Sequence, residues 1–289
     1  MTNFGVIGPG KMGKLFIRDF LNIGAKLTYL KASTHHNTKR RIFAYKRKGE
    51  FIKNNINECK FIIISSKTKT HYKYINNLFE KKNLLIEKPF FFCVNKSLNW
   101  HLKKAKKFLK SKKNLDVNLS NYIFGDEYKK HKFFKKQKNF FFTFHTNGNC
   151  HYKFIILDLI PHFFAIMQRL TPCKSFTIVK KKVEKFKSSL ILIIDDYICH
   201  LDLRENQKVK KLSFGFDDFI VSRKQILKKN TLENYLYSKK FNLKINIPNP
   251  LNKFTNDYIN NLKKKTTFLK KKFIYKNFKL TLKAYFLNP

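Results

Sequence analysis

Four of the nine glycines in this chain of 289 residues fall within its first thirteen positions, as Gly5, Gly8, Gly10 and Gly13. Gly8, Gly10 and Gly13 form a G-x-G-x-x-G series directly behind the apolar run Phe4-Gly5-Val6-Ile7. A strand that runs into such a turn has few ways to continue. One glycine permits the sharp bend, a second lets backbone come close to a pyrophosphate, and a third lets the following helix pack against the strand. That helix is visible in the pattern: Met12, Leu15, Phe16, Phe20 and Ile23 recur at helical spacing, and Gly24 suits the position past a helix end. Its unpaired first-turn N–H groups would face the phosphates of a dinucleotide. Gly8, Gly10, Lys11, Met12 and Gly13 are therefore the expected pyrophosphate turn.

The alternation continues. Leu27–Leu30 reads as a second strand, Lys39–Lys48 as a helix ending near Gly49, and Lys60–Ser65 as a buried parallel strand. Thr68 and Thr70 offer hydroxyls for an N-cap ahead of a helix with Tyr72, Ile75, Leu78 and Phe79 on one face, and Leu84–Ile86 reads as the next strand. Residues 1–120 are thus expected to form an open, doubly wound parallel sheet of Rossmann type. Beyond a basic helix at Leu98–Leu109, strand-like runs dominate at Val117–Phe124, Asn139–Phe144, Ser175–Val179 and Ser189–Leu203. With a short helix at Pro161–Leu170 and a closing one at Phe254–Leu262, residues 121–289 read as an α+β domain on a mainly antiparallel sheet.

Charge suggests a different role. The 62 Lys+Arg against 18 Asp+Glu give a formal net charge of +44, which on its own points to a polyanion. Only seven of the basic residues are arginine, the side chain suited to bidentate phosphate or base recognition, and the lysines are spread over the whole length. Lysine, asparagine, phenylalanine, isoleucine and tyrosine share A/T-rich codons, so base composition accounts for the excess without a nucleic-acid partner. The five cysteines are widely spaced with no C-x-x-C pair, which predicts free thiols, no metal cage and a cytoplasmic setting. The longest apolar stretch, Phe154–Met167, carries Asp158 and His162 and is too short to span a bilayer.

Ile86-Glu87-Lys88-Pro89 closes a predicted strand. Ligands of doubly wound sheets bind beyond the strands' carboxyl ends, so Lys88 would face the cleft, with Pro89 holding it out of helical geometry. Further on, Pro161 is tolerated in the first turn of a helix, which would set Asp158 and His162 astride a helix N-terminus, four residues apart and able to face one cleft. Histidine is suited to exchange a proton near neutral pH.

Taken in order, the glycine turn, Ser65-Ser66 with His71, Glu87-Lys88-Pro89 and Asp158-Leu159-Ile160-Pro161-His162 resemble the Gfo/Idh/MocA family of NAD(P)-dependent oxidoreductases. The resemblance implies that Lys88 lies beside nicotinamide and substrate, that Asp158 and His162 supply the opposite wall of the active site, and that Ser65, Ser66, His71 and Glu87 contact the cofactor. It also implies a sugar-like or polyol-like substrate and a homo-oligomer, dimer or tetramer. Two departures stand out: Cys150-His151-Tyr152 replaces a glycine-rich lead, and Ala165 replaces an acid often found after the histidine.

Cofactor choice follows from charge. NAD-specific sheets end their second strand in an acid that binds the ribose hydroxyls. Here that strand runs into Lys31-Ala32-Ser33-Thr34, with Arg40 close behind. This favours NADP over NAD, with Ser33, Thr34 and Arg40 as candidates for the 2′-phosphate. The expected activity is hydride transfer between the nicotinamide and a hydroxyl or carbonyl carbon, catalysed by Lys88, His162 and Asp158. Two alternatives remain at this point: a non-catalytic dinucleotide sensor or scaffold, and a basic polyanion-binding protein.

Overall fold

A computed structural model describes residues 2–46, 52, 54–131, 137–228, 231–264 and 269–289. The chain divides into two units, Met1–Asn118 with Leu251–Tyr275, and Leu119–Pro250 with Lys276–Pro289.

The first unit holds a five-stranded parallel sheet in the order β2-β1-β3-β4-β5. Its strands are β1 (Asn3–Ile7), β2 (Lys26–Lys31), β3 (Phe61–Ile64), β4 (Asn83–Ile86) and β5 (Leu115–Val117). All four residues of β3, Phe-Ile-Ile-Ile, are buried, as a parallel strand covered on both faces requires. The connecting helices are α1 (Lys11–Asn22), α2 (His35–Lys46), α3 (Thr68–Leu78) and α4 (Leu98–Leu109). The expected end of α2 at Lys48 and Gly49 falls outside the described residues. Helix α2 starts at His35, a turn before the expected Lys39, because Thr34 caps it: the Thr34 Oγ1 accepts from the Asn37 N–H at 3.2 Å. Helix α3 has Lys67 at its N-cap, with no side-chain cap bond, so the expected threonine cap is not formed; the Thr70 hydroxyl donates instead to the Lys67 carbonyl.

The returning segment closes this core from behind. Helix α7 (Pro250–Lys263) buries Phe254, Tyr258, Ile259 and Leu262, and the Tyr258 ring lies edge-on to Phe61 with centroids 5.2 Å apart. Each such aromatic contributes roughly 1.5–3 kcal/mol of burial. Buried Asp116 then accepts the Leu269 N–H at 2.9 Å. The boundary expected at 120/121 thus lies beside the observed crossing at 118/119, but Leu251–Tyr275 packs with the first unit. Burial of apolar faces across long sequence separation decides this, and local pattern carries no trace of it.

The second unit carries an eight-stranded sheet ordered β13-β12-β11-β10-β6-β9-β8-β7, antiparallel throughout except between β6 and β9. Strands β6 (Asn139–His145), β7 (Thr177–Val183), β8 (Lys187–Ile194) and β9 (Tyr197–Arg204) are joined by β10 (Lys211–Phe216), β11 (Phe219–Lys228), β12 (Thr231–Ser238) and β13 (Leu243–Ile247). The run Phe140-Phe141-Phe142 shows the pleat: the outer two rings are buried on the inner face, and Phe141 is 37% exposed on the other. The expected single run Ser189–Leu203 is a hairpin turning at Asp195, whose φ is +52°. The expected strand Val117–Phe124 is divided: Val117 ends β5, and Tyr122–Lys129 is helix α5.

Helix α6 (Phe154–Leu170) lies against the sheet's inner face, burying eleven residues among Phe140, Phe142, Leu192 and Phe214. Its 17 residues place Pro161 in the helix interior, not in the first turn as expected. The proline denies the Leu157 carbonyl its helical donor, yet the apolar face on both sides of it is worth more than one such bond. The Pro161 carbonyl accepts from the Asn277 amide at 2.9 Å, on the last helix, α8 (Lys271–Phe286).

Candidate functional site

The glycine turn is built on backbone contact. Gly8 has φ +85°, and a Cβ there would stand 2.4 Å from the backbone N and Cα of Ser66. The turns after β1 and β3 therefore touch directly, and only glycine fits. The Ser65 hydroxyl donates to the Gly8 carbonyl at 2.7 Å, and a Cβ on Gly13 would meet that same carbonyl at 2.5 Å. Gly10 differs: its backbone is extended, it stands at the N-cap of α1 without a side-chain cap bond, and a Cβ there would meet nothing within 4 Å. The first helical bond runs from the Lys14 N–H to the Gly10 carbonyl, so the N–H groups of Lys11, Met12 and Gly13 precede the ladder and point out of the helix end.

A cavity of about 560 Å³ opens over this turn, bordered by Ile7, Gly8, Pro9 and Gly10, by Ala32, Ser33, Asn37 and Arg41, and by Ser65, Ser66, Lys67, Lys69, Thr70 and Tyr74. It lies at the carboxyl ends of β1, β2 and β3, where a doubly wound sheet binds its ligand. Among the described residues three cations and no acid line it, and the Lys31 ammonium sits 5.4 Å from the Tyr74 ring centroid. These groups suit a phosphate-rich ligand: a glycine cradle, a helix N-terminus, and positive charge where an acid would select against a 2′-phosphate. Of the three expected 2′-phosphate contacts, Ser33 borders the cavity, while Thr34 and the exposed Arg40 do not. Arg41, one position on, does; it also borders a separate cavity of about 450 Å³ lined by α1 and α2 residues only.

His71 does not border the cavity. It is 1% exposed on the inner side of α3, with Nε2 2.8 Å from the Ser66 carbonyl and Nδ1 3.1 Å from the Pro89 carbonyl. Burial pushes its pKa below the usual value, against the pull of the Ser66, Pro89 and Phe90 backbone. Glu87 is also buried; its N–H donates to the Ile64 carbonyl, and its Oε2 accepts from the Asn118 amide at 2.8 Å. Lys88 follows, half-buried, joined to Pro89 by a cis peptide bond. Phe90, Phe91 and Phe92 then anchor the chain in the core.

In the second unit, Asp158 and His162 stand on successive turns of α6, both half-buried. The His162 ring lies edge-on to Phe144 at 5.0 Å. The Asp158 and Glu205 carboxylates and the Cys150 thiol have donor atoms within 4.8 Å of one another. Glu205, fully buried at the end of β9, accepts from the Thr146 hydroxyl at 2.9 Å. A Cβ on Gly148 would stand 1.9 Å from the Glu205 Oε2, so the glycine makes room for the acid. Sequence reasoning missed Glu205 and Thr146. The only local signal was Gly148 itself, a rare glycine just ahead of Cys150.

Comparison with known proteins agrees with this architecture. Residues 2–120 match the Gfo/Idh/MocA family model, described as an oxidoreductase family with an NAD-binding Rossmann fold. Among curated protein sequences, none matches the chain. Solved structures share the fold over nearly the whole length. The UDP-N-acetylglucosamine 3-dehydrogenase GnnA from Acidithiobacillus ferrooxidans is 13% identical, with a TM-score of 0.72 over 98% of this chain and 96% of that one. A 3-ketoreductase from Actinomadura kijaniata, solved with NADP and TDP-benzene, is 10% identical, with a TM-score of 0.74 over 98% and 96%. A dehydrogenase from Clostridium difficile is 14% identical, with a TM-score of 0.69 over 98% of each chain. No described helix is long and apolar enough to cross a membrane.

Proposed function

We propose that the chain, whose residues 2–120 match the Gfo/Idh/MocA oxidoreductase family model, transfers hydride between a nicotinamide dinucleotide, NADP in preference to NAD, and a hydroxyl or carbonyl carbon of a sugar-like or polyol-like substrate. The observation that carries this reading is the contact of the Gly8 turn with Ser66 beneath a cavity whose described lining carries cations and no acid. Arg41, with Ser33 and Asn37, is the proposed 2′-phosphate contact, in place of Arg40. A fold neighbour named for a nucleotide sugar, the UDP-N-acetylglucosamine 3-dehydrogenase, supports the substrate class, and the 3-ketoreductase solved with NADP and TDP-benzene supports the reaction type.

The dinucleotide, when bound, supplies or accepts the hydride. The protein's own work is proton transfer and charge stabilisation. In the reducing direction His162 or Lys88 gives a proton to the substrate oxygen, and the Lys88 ammonium offsets negative charge developing there. Asp158 orients the substrate hydroxyls or the histidine. Glu205, Thr146 and Cys150 add polar groups suited to a polyhydroxylated ligand. That no disulfide joins any of the five cysteines supports a reducing, cytoplasmic setting.

Association of copies through the outer face of the second unit's sheet is part of the proposal. Phe141, Ile193, Ile198 and Ile220 are each more than a third exposed there, and light scattering should report a dimer or larger species.

Titration with NADPH and NADH, followed by nicotinamide fluorescence, tests the cofactor; a screen of sugar and polyol phosphates and nucleotide sugars tests the substrate. Absence of binding by either cofactor at millimolar concentration would overturn the proposal. If binding occurs, Lys88→Ala and His162→Ala should abolish turnover while leaving cofactor affinity largely intact.

A further inference from the structure

Two fully buried histidines flank the Lys88 turn, and they are bonded differently. His101 takes the Cys93 N–H on Nε2 at 3.0 Å and faces the Ser97 carbonyl with Nδ1 at 2.7 Å. One donor and one acceptor suit a neutral ring, and both contacts lie within a single stretch of chain. His71 meets two carbonyls, from Ser66 and Pro89. A neutral ring carries one N–H, so it bonds one carbonyl at a time and packs against the other, with the tautomer choosing which. Those carbonyls belong to the turns after β3 and β4.

Each turn carries part of the site. Ser66 backs onto the Gly8 turn, and its hydroxyl lies 2.7 Å from the Thr70 hydroxyl on α3. Pro89 follows Lys88 directly. The series Gly8, Ser66, His71, Pro89 thus runs from the pyrophosphate cradle to the lysine through backbone at every step except the imidazole. The adenosine side of the cavity, Ala32, Ser33 and Arg41 beyond β2, has no part in it.

We propose that His71 is a positioning residue: it holds the Ser66 turn and the Lys88 turn at a fixed spacing, and so sets the nicotinamide half of the site without touching the ligand. The proposal rests on the dinucleotide reading above. Two ligands separate the halves: NADPH spans both, whereas adenosine 2′,5′-bisphosphate lacks the nicotinamide end.

His71→Leu removes both contacts, while His71→Gln returns an N–H donor near the Nε2 position. Loss of one buried hydrogen bond corresponds to about tenfold in affinity. His71→Leu should therefore weaken NADPH about tenfold and reduce its bound-state fluorescence enhancement, with adenosine 2′,5′-bisphosphate changed less than about twofold. His71→Gln should recover most of the NADPH affinity. Equal loss of both ligands, loss of neither, or no recovery in His71→Gln would overturn the proposal. If His71→Leu fails to fold, His71→Gln and His71→Asn compared with wild type carry the same test, and unchanged NADPH binding and fluorescence in both would overturn it. A wild-type protein that binds neither ligand overturns the dinucleotide reading itself, a result distinct from all of these.

Discussion

Alanine at Gly8 and at Gly10 should separate fold from ligand binding within one turn. At Gly8 the backbone lies at φ +85°, and a methyl would enter the Ser66 backbone at 2.4 Å. The left-handed conformation costs alanine roughly 1–2 kcal/mol, and forcing two backbone segments apart costs about 1–3 kcal/mol more. A destabilisation of about 2–5 kcal/mol should lower the melting temperature of the first unit by on the order of 10 °C. At Gly10 the backbone is extended, with φ −74°, and no atom lies within 4 Å of the new methyl. Alanine fits there, and the loss of unfolded-state freedom should stabilise the protein by about 0.4–1 kcal/mol. The same methyl would occupy the approach to the α1 N-terminus, where the pyrophosphate would sit. Losing one hydrogen bond to a charged oxygen costs roughly 1.5–3 kcal/mol, or about 10- to 100-fold in NADPH affinity. Thermal unfolding and fluorescence titration on the two variants are the assays. Gly10→Ala binding as tightly as wild type, or Gly8→Ala melting at the wild-type temperature, would refute the assignment of the turn.

Arg41→Ala should cost NADPH about 10- to 100-fold by loss of a charge-assisted bond, while NADH changes little; isothermal titration distinguishes this from a general loss. Gly148→Ala drives a methyl into the buried Glu205 carboxylate and should destabilise by about 2–4 kcal/mol, read by urea unfolding, because either the acid leaves Thr146 or the loop shifts. His71 gives a pH dependence with a defined sign. Its folded pKa lies below the usual 6.5, so below that pH the unfolded chain takes up a proton that the folded protein resists. Stability should fall as pH drops from 6.5 toward the folded pKa and be unaffected by this group above it. His71→Gln should remove that slope in acid unfolding curves.

Periodicity and glycine spacing were enough to expect the parallel sheet, the antiparallel second sheet and the turn through Gly8, Gly10 and Gly13. Each is a local property: an apolar strand such as β3, a turn that only glycine can make, a helix with one apolar face. Charge after β2 was also legible, because the missing acid is an absence in a short segment. The interior of α6 was not, since Pro161 has a strong local preference that burial of ten other side chains of the helix overrides. Nor was the return of Leu251–Tyr275 to the first unit, where Tyr258 packs on Phe61 across nearly 200 positions. That Arg41 and not Arg40 borders the cavity turns on where one helix starts, and α2 starts at a threonine cap. Glu205 and His71 became intelligible only in three dimensions: an acid's room depends on Gly148 in another loop, and a buried ring's partners are two carbonyls from different strand ends. Sequence fixes what each segment can do alone; long-range burial and hydrogen bonding decide which segments meet.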